Sequence, residues 1–333
     1  MRKVFTLFLI IMILCGCQNQ KQSFDGKDRP SSAGKLQVID GQLCSEKGES
    51  VMLRGISNNG VSISERYIND DCFHDISHVI GANIFRLALY TYGMGSVGYC
   101  TGADKERMLD AIDKGVTYAK NNDMYILIDW HILSDGDPNK FIDDAKDFFE
   151  KVSSKYKNEK HVLYEICNEP NQVDWQTIKD YANVIIPIIR NNDPKAVIIV
   201  GTPNWSQDVD VAANDPLDYD NLLYTLHFYA ATHKQDLRDR VQNAIDKGLP
   251  IFVTEYGITA STGNHPIDID EADLWIDFLE ENRISYVMWQ FSKVGEASCA
   301  IRVDVLKDRG FERDDFTTAG QWLMDTIENR SKK

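Results

Sequence analysis

This 333-residue sequence predicts an α/β fold of the (β/α)8 TIM-barrel kind, in a single domain over residues 35–333. Three observations predict it. Eight short apolar runs recur along the chain, amphipathic stretches lie between most of them, and polar residues fall repeatedly at the C-terminal ends of the runs. Stretches such as YILI (125–128) and VIIV (197–200) are apolar on both faces, as a strand must be when it is covered on both sides. Eight strand–helix units in roughly 300 residues are the size of a barrel. An open doubly wound sheet is the rival, and no Gly-rich phosphate loop supports it.

The predicted strands are Val51–Ser57, Asn83–Leu89, Tyr125–Trp130, Val162–Cys167, Val197–Gly201, Leu223–His227, Ile251–Thr254 and Tyr286–Trp289. The predicted helices are Asp104–Asn122, Ile142–Tyr156, Trp175–Asn191, Leu237–Lys247, Ile269–Asn282 and a last one over Thr318–Asn329. Before them, residues 35–50 carry the turn signals Asp40-Gly41 and Lys47-Gly48 and predict a small hairpin leading into the domain.

The N-terminus has a different logic. Arg2 and Lys3 precede an apolar run from Val4 to Leu14, which is too short to span a bilayer but has the proportions of a secretory signal. The run stops abruptly at Leu14-Cys15-Gly16-Cys17, which resembles the bacterial lipoprotein signal. The expectation is a signal peptide over 1–16, a lipidated Cys17, and a flexible polar tether to residue 34. The protein would then be exported, anchored to a membrane by lipid, and facing outward. A plain signal peptide cut nearby is the ordinary alternative.

Composition narrows the partners. Acidic residues outnumber basic ones by 51 to 36, for a net charge of −15. A field of that sign repels phosphate backbones, so nucleic acid is not an expected partner. A neutral ligand such as a polysaccharide fits better, and a monomer is expected. Beyond Cys15 and Cys17, five cysteines remain: Cys44, Cys72, Cys100, Cys167 and Cys299. Their spacing matches no zinc pattern. Cys72 and Cys100 could pair after export, while Cys167, inside an apolar run, reads as a small buried hydrophobe. His74 and His78 are four apart, but no metalloprotease glutamate and no third ligand accompany them. Neither a metal nor another cofactor is expected.

The chemistry is carried by the strand ends. Arg86 lies in the second predicted strand, and His131 follows the third. Asn168 and Glu169 follow the fourth, and His227 and Tyr229 lie at the end of the sixth. Glu255 follows the seventh, and Trp289 ends the eighth. Any one of these alone would be an ordinary core-edge or surface residue. Eight on one face of a barrel converge on its mouth, where barrel enzymes do their chemistry. Glu169 and Glu255 would face each other across it. Glycosidic cleavage needs such a pair: a protonated carboxyl, so that the leaving oxygen departs as an alcohol, and an ionised one to attack the anomeric carbon. Asn168 can hold the sugar 2-hydroxyl, and Arg86 and Tyr229 can hydrogen-bond Glu255. His131 and His227 would brace the carboxylates, and Trp289 offers an apolar face to a pyranose ring.

With those residues in view, the chain resembles glycoside hydrolase family 5, the cellulase family, and within it the bacterial endoglucanase subfamily 2. The resemblance runs from about Gly41 to Ile301. It rests on LRGISNNG (53–60), FRLALY (85–90), IDWH (128–131), YEICNEPN (164–171), GTPNWSQDVD (201–210), YTLHFYAATH (224–233), FVTEYG (252–257) and WQFSKVGEAS (289–298). It implies a barrel, retention at the anomeric centre, Glu169 as acid/base and Glu255 as nucleophile, with the activity of an endo-β-1,4-glucanase. It also implies substrate contacts from Tyr90, Trp205, Trp289, Asn59, Lys293 and Glu296. The departures fall on one flank: Asn59 stands where the subfamily usually has His, Ile63 where it has a stacking Trp, and Val294 where a Lys is common, with Lys293 next door. Tyr256 replaces the Trp that usually follows the nucleophile. A barrel hydrolase of mannan, xyloglucan or mixed-linkage glucan is the alternative, and a catalytically silent glycan-binding lipoprotein a further one. The poised carboxylates argue against the last.

Overall fold

The computed structural model describes residues 26–93 and 98–332. Cys17 and the signal segment lie outside these residues. The first described elements close the floor of a barrel. A turn at Gly26–Asp28 leads into helix α1 (Pro30–Ala33), and a hairpin follows, β1 (Gln37–Ile39) with β2 (Gln42–Cys44). Its two-residue turn has both central residues at positive φ, Asp40 at 49° and Gly41 at 79°. That backbone matches the twist of the flanking strands, and Asp-Gly adopts it with little strain.

This overturns the expectation of a flexible tether reaching residue 34. Arg29 donates to Ser77 Oγ at 2.9 Å and Ser31 N to Asp123 Oδ1 at 2.8 Å. The Gly34 carbonyl accepts from Tyr125 OH at 2.7 Å, and Ala33 and Leu36 are buried. The segment is polar because it docks through hydrogen bonds at the strand-entry ends. An apolar-periodicity reading has no way to register that kind of docking.

Eight parallel strands close the barrel in the order β10-β3-β4-β5-β6-β7-β8-β9. They are β3 (Arg54–Asn58), β4 (Ile84–Tyr90), β5 (Tyr125–His131), β6 (Val162–Glu165), β7 (Ile198–Val200), β8 (Leu222–Tyr229), β9 (Ile251–Gly257) and β10 (Tyr286–Phe291). Each corresponds to a predicted run. Around them pack α2 (Asp70–Asp75), α3 (Lys105–Asn121), α4 (Ile142–Tyr156), α5 (Trp175–Asn192), the short α6 (Pro203–Ser206) and α7 (Val209–Asn214), α8 (Gln235–Asp246), α9 (Ile269–Glu281) and α10 (Thr318–Ser331). Side-chain caps start several of them. Asp104, Asp174, Asp268 and Thr317 accept the orphan N–H three residues on.

The strands alternate as barrel strands must. In β4, Phe85, Leu87 and Leu89 pack outward on the helices, while Ile84 belongs to a separate inner cluster with Leu53, Tyr125, Leu127, Leu163, Ile199, Leu223, Phe252 and Val287. Ala33, Leu36 and Leu43 complete that inner floor from below. One turn higher the interior becomes polar, with Arg86, Asp129, Glu165, Thr225 and Thr254 all buried. The barrel is thus a packed core with an apolar floor and a charged upper layer.

One irregularity decides the site. Between β8 and β9, Thr225 pairs with Phe252 but His227 pairs with Glu255. Two steps on β8 match three on β9, so β9 carries a bulge. A regular strand would send Thr254 and Glu255 to opposite faces. The bulge lets both side chains enter the interior, and bulges are found where a functional side chain must be re-aimed. The five described cysteines are all unpaired, so Cys72 and Cys100 do not bridge. His74 and His78 stack on each other at 4.1 Å on the surface. Among the described residues no helix is long and apolar enough to cross a membrane.

Candidate active site

The strand-end residues singled out in the sequence come together at the mouth. Arg86 is the hub. Lying on β4 and wholly buried, it donates from Nε to Glu165 Oε2 at 2.7 Å, from one terminal nitrogen to Glu255 Oε2 at 3.2 Å, and from the other to Asn168 Oδ1 at 2.6 Å. The last nitrogen also lies 3.0 Å from Asp129 Oδ2. Burial alone would lower the pKa of the guanidinium, but Asp129, Glu165 and Glu255 raise it and hold it charged.

Glu255, delivered by the β9 bulge, also accepts from Tyr229 OH at 2.7 Å. Both its oxygens are therefore fixed by donors from strands β4 and β8. Opposite it, Glu169 follows β6 in the Asn-Glu-Pro turn, and its Oε1 lies 2.9 Å from His227 Nδ1. Its side chain keeps 12% of its surface open to the mouth. Burial pushes its carboxyl up to about 8, against the opposing pull of Arg86. An oxygen of Glu169, a ring nitrogen of His227 and an oxygen of Glu255 all lie within 4.8 Å of one another. Those three are also the residues that could reach a single cation.

The two histidines differ. His227 braces Glu169, as expected. His131 touches neither Glu169 nor Glu255, which corrects the expectation that it would brace them. Its Nδ1 is 2.6 Å from Asp129 Oδ2, its Nε2 faces the Asn168 amide at 3.4 Å, and its ring stacks on Trp289 at 5.5 Å and 11°. The Tyr90 ring lies 4.2 Å from it, tilted by 58°. His131 thus packs its ring against both Tyr90 and Trp289. Burial lowers His131 to about 3 and His227 to about 4, so both are neutral around neutral pH. The Asn168 amide is held by the Ile132 carbonyl at 2.9 Å.

The outer residues divide. Trp289 is nearly buried with its ring at the mouth, and Trp205 is 43% exposed. The backbone of Trp205, at φ 55°, is tied to the Pro170 carbonyl, one residue past Glu169. Asn59 is buried, with its Oδ1 accepting from Ser64 Oγ. Ile63 is exposed, and its side chain and that of Tyr90 both border Gly60, leaving no room there for a Cβ without a close contact. Lys293 gives its ammonium to the Val305 carbonyl and Glu296 takes the Gln290 amide at 2.8 Å, contacts that help hold the loop after β10.

Sequence reasoning passed over four residues that the structure makes central: Asp129, Glu165, Thr225 and Thr254. A signal was there. Asp129, Glu165 and Thr254 interrupt otherwise apolar strand runs inside the quoted stretches, and a charged residue in a doubly covered strand needs a partner. Burial pushes Asp129 up to about 7, with Arg86 pulling the other way, and its Oδ1 has no hydrogen-bond partner.

Residues 44–295 match the family described as Cellulase (glycosyl hydrolase family 5). The chain is 41% identical over 298 residues to Endoglucanase A of Butyrivibrio fibrisolvens, covering 88% of this chain and 68% of that one. It is 38% identical over 329 residues to an Endoglucanase of Clostridium saccharobutylicum, covering 98% and 72%. Among solved structures, the catalytic domain of Thermobifida fusca endoglucanase Cel5A in complex with cellotetraose superposes with a TM-score of 0.85 at 32% identity, covering 90% of this chain and 99% of that one.

Proposed function

Because the chain belongs to the cellulase family, glycosyl hydrolase family 5, we propose that it is an endo-β-1,4-glucanase that hydrolyses internal bonds of β-glucan with retention of configuration. The observation that carries the chemistry is the facing carboxyl pair, with oxygens of Glu169 and Glu255 inside a 4.8 Å cluster. Retaining enzymes hold their two carboxyls about 5–5.5 Å apart, whereas inverting ones leave room for an intervening water. The relatives that match over most of their length are endoglucanases by name, which supports the choice of glucan.

In this reading Glu255, fixed by Tyr229 and Arg86, attacks the anomeric carbon and forms a glycosyl ester. Glu169, protonated by virtue of its burial, gives its proton to the departing glycosidic oxygen. In the second half it accepts a proton from the water that opens the ester. The Asn168 amide lies beside Glu169 where a sugar 2-hydroxyl would sit, Trp289 takes a sugar ring on its face, and Trp205 supplies an outer platform beyond Glu169. Reducing-sugar release from a panel of purified β-glucans and mannans tests the substrate: β-1,4-glucan should be cut with falling viscosity, and cleavage of mannan alone would reject the proposal.

We also infer that the chain is of the bacterial endoglucanase subfamily 2, works as a single chain, and is exported and lipidated at Cys17. The support for the anchor is the basic start, the apolar run and the Leu-Cys-Gly-Cys stop. Cys17→Ser should move the protein from the membrane fraction to the medium. Unchanged partition would reject the anchor.

A further inference from the structure

The acid Glu169 is backed by a chain of hydrogen bonds whose direction can be read from the chemistry of its members. It runs from Glu169 Oε1 to His227 Nδ1 at 2.9 Å, from His227 Nε2 to Thr254 Oγ1 at 2.9 Å, and from Thr254 Oγ1 to Glu165 Oε1 at 2.6 Å. Glu165 Oε2 then receives Arg86 Nε at 2.7 Å, and the same guanidinium reaches Glu255. Every link lies inside the barrel, and Glu165, Thr254 and Arg86 have no exposed surface.

A hydroxyl has one proton to give, and a carboxylate has none. Glu165 is the closest carboxylate to the permanently charged Arg86, so it is the acceptor, and Thr254 spends its single proton on it. Thr225 Oγ1 also touches Thr254 Oγ1. With the Thr254 proton committed, Thr225 is the donor there. What Thr254 can offer His227 is then a lone pair, so Nε2 carries the ring proton. The neutral ring has no second proton, and Nδ1 is bare. A bare Nδ1 at 2.9 Å from Glu169 Oε1 makes a hydrogen bond only if the carboxyl supplies the proton.

We propose that Thr254 and Glu165 are positioning residues that hold His227 in its Nε2–H tautomer and thereby require Glu169 to carry the acid proton. The proposal rests on the reading of Glu169 as acid/base and adds the device that keeps it loaded. As the carboxyl turns to the glycosidic oxygen it delivers this proton to the leaving alcohol. The resulting carboxylate then faces a lone pair, an unfavourable contact that proton uptake from the incoming water relieves. The charged and titratable groups around this line are Arg86 and Tyr90 from β4, Asp129 and His131 from β5, Glu165 from β6, Tyr229 from β8 and Glu255 from β9. None of them offers Nδ1 a proton in place of Glu169. The raised proton affinity of Glu169 agrees with this arrangement.

Glu165→Gln is the decisive change, because it reverses the chain without altering its shape. The amide oxygen must serve Arg86, so its N–H faces Thr254. Thr254 then donates to His227 Nε2, and the ring proton moves to Nδ1, where it stabilises ionised Glu169. Long-range 1H–15N correlation spectra of the histidine rings should show the Nε2–H form in the parent and the Nδ1–H form in Glu165→Gln. The basic limb of kcat/KM on glucan should move down by about one pH unit or more, with little change on an aryl cellobioside whose leaving group needs no proton. Thr254→Val should shift the limb in the same direction and Thr254→Ser should restore it, which covers the case in which Glu165→Gln fails to fold. An Nδ1–H tautomer in the parent, or a Glu165→Gln protein with tautomer and basic limb both unmoved, would overturn the proposal. A tautomer that flips while the limb stays put supports the positioning role and rejects Glu169 as the group read by that limb.

Discussion

Two carboxyls of the same chemistry are given different tasks by their neighbours. Glu255 is met by Tyr229 OH and Arg86, whereas Glu169 faces a neutral imidazole and has its proton affinity raised by burial. Glu255→Gln should abolish turnover of every substrate, since an amide cannot form the glycosyl ester. Glu169→Gln should lose roughly 10²–10⁴-fold on glucan but keep the first half-reaction on an activated aryl glycoside, read as a burst of released phenol. An equal loss on both substrates would remove Glu169 from the acid role. The same residue carries a stability signature. Its proton is bound more tightly in the folded chain, near pH 8, than in the unfolded one, near pH 4.3. Unfolding therefore releases that proton between these values, and the contribution of Glu169 to stability is greatest at low pH and falls as pH rises towards 8. Glutamine does not titrate. The denaturation midpoint of Glu169→Gln relative to the parent should accordingly climb from pH 4.5 to pH 8 and level off above it.

At the scale of elements, the barrel is stitched shut where its first and last strands meet. Arg54 at the start of β3 forms a bidentate pair with Glu280 of α9, at 2.7 Å through both Nε and a terminal nitrogen, and Tyr286 of β10 donates to the same carboxylate at 2.9 Å. Glu280→Ala would leave a guanidinium with 8% exposure unpaired. A cost of about 3 kcal/mol is expected, the lower end for breaking a buried pair, and urea denaturation measures it. Elements were also what the sequence expressed best. Every barrel strand fell on a predicted run, the clearest of them apolar on both faces, as in YILI and VIIV, and the helix ends fell near their Asp and Thr caps. What the sequence did not express was which face each interior polar residue takes. Asp129, Glu165 and Thr254 were hidden because strand alternation is invisible when both faces are covered. Glu255 escaped that problem only through the company it keeps, since the bulge that turns it inward has no mark in FVTEYG. Lys293 and Glu296 hydrogen-bond within their own loop, to the Val305 carbonyl and the Gln290 amide, contacts that leave no mark in the sequence because a charged residue beside a cleft looks the same whether it faces a sugar or its own loop.

At the scale of the whole molecule, the segment expected to be a tether is part of the fold from Gly26 onward. Arg29, Ser31 and Ala33 lock it to Ser77 and Asp123 and to the apolar floor. A chain starting at Lys35 should therefore melt below one starting at Gly26, by roughly 2–4 °C for each kcal/mol lost, and differential scanning calorimetry of the two would show it. Equal melting temperatures would mean that the floor elements add nothing. Because the N-terminal segment docks at the strand-entry end and the carboxyl pair opens at the other, the molecule has a foot and a head. Nine peptide steps separate Cys17 from Gly26 and reach at most roughly 30 Å. A lipid at Cys17 would hold the enzyme by its foot on a short leash, so that the jaws, at the opposite end, would favour polymer drifting past the cell over the surface to which the foot is tied.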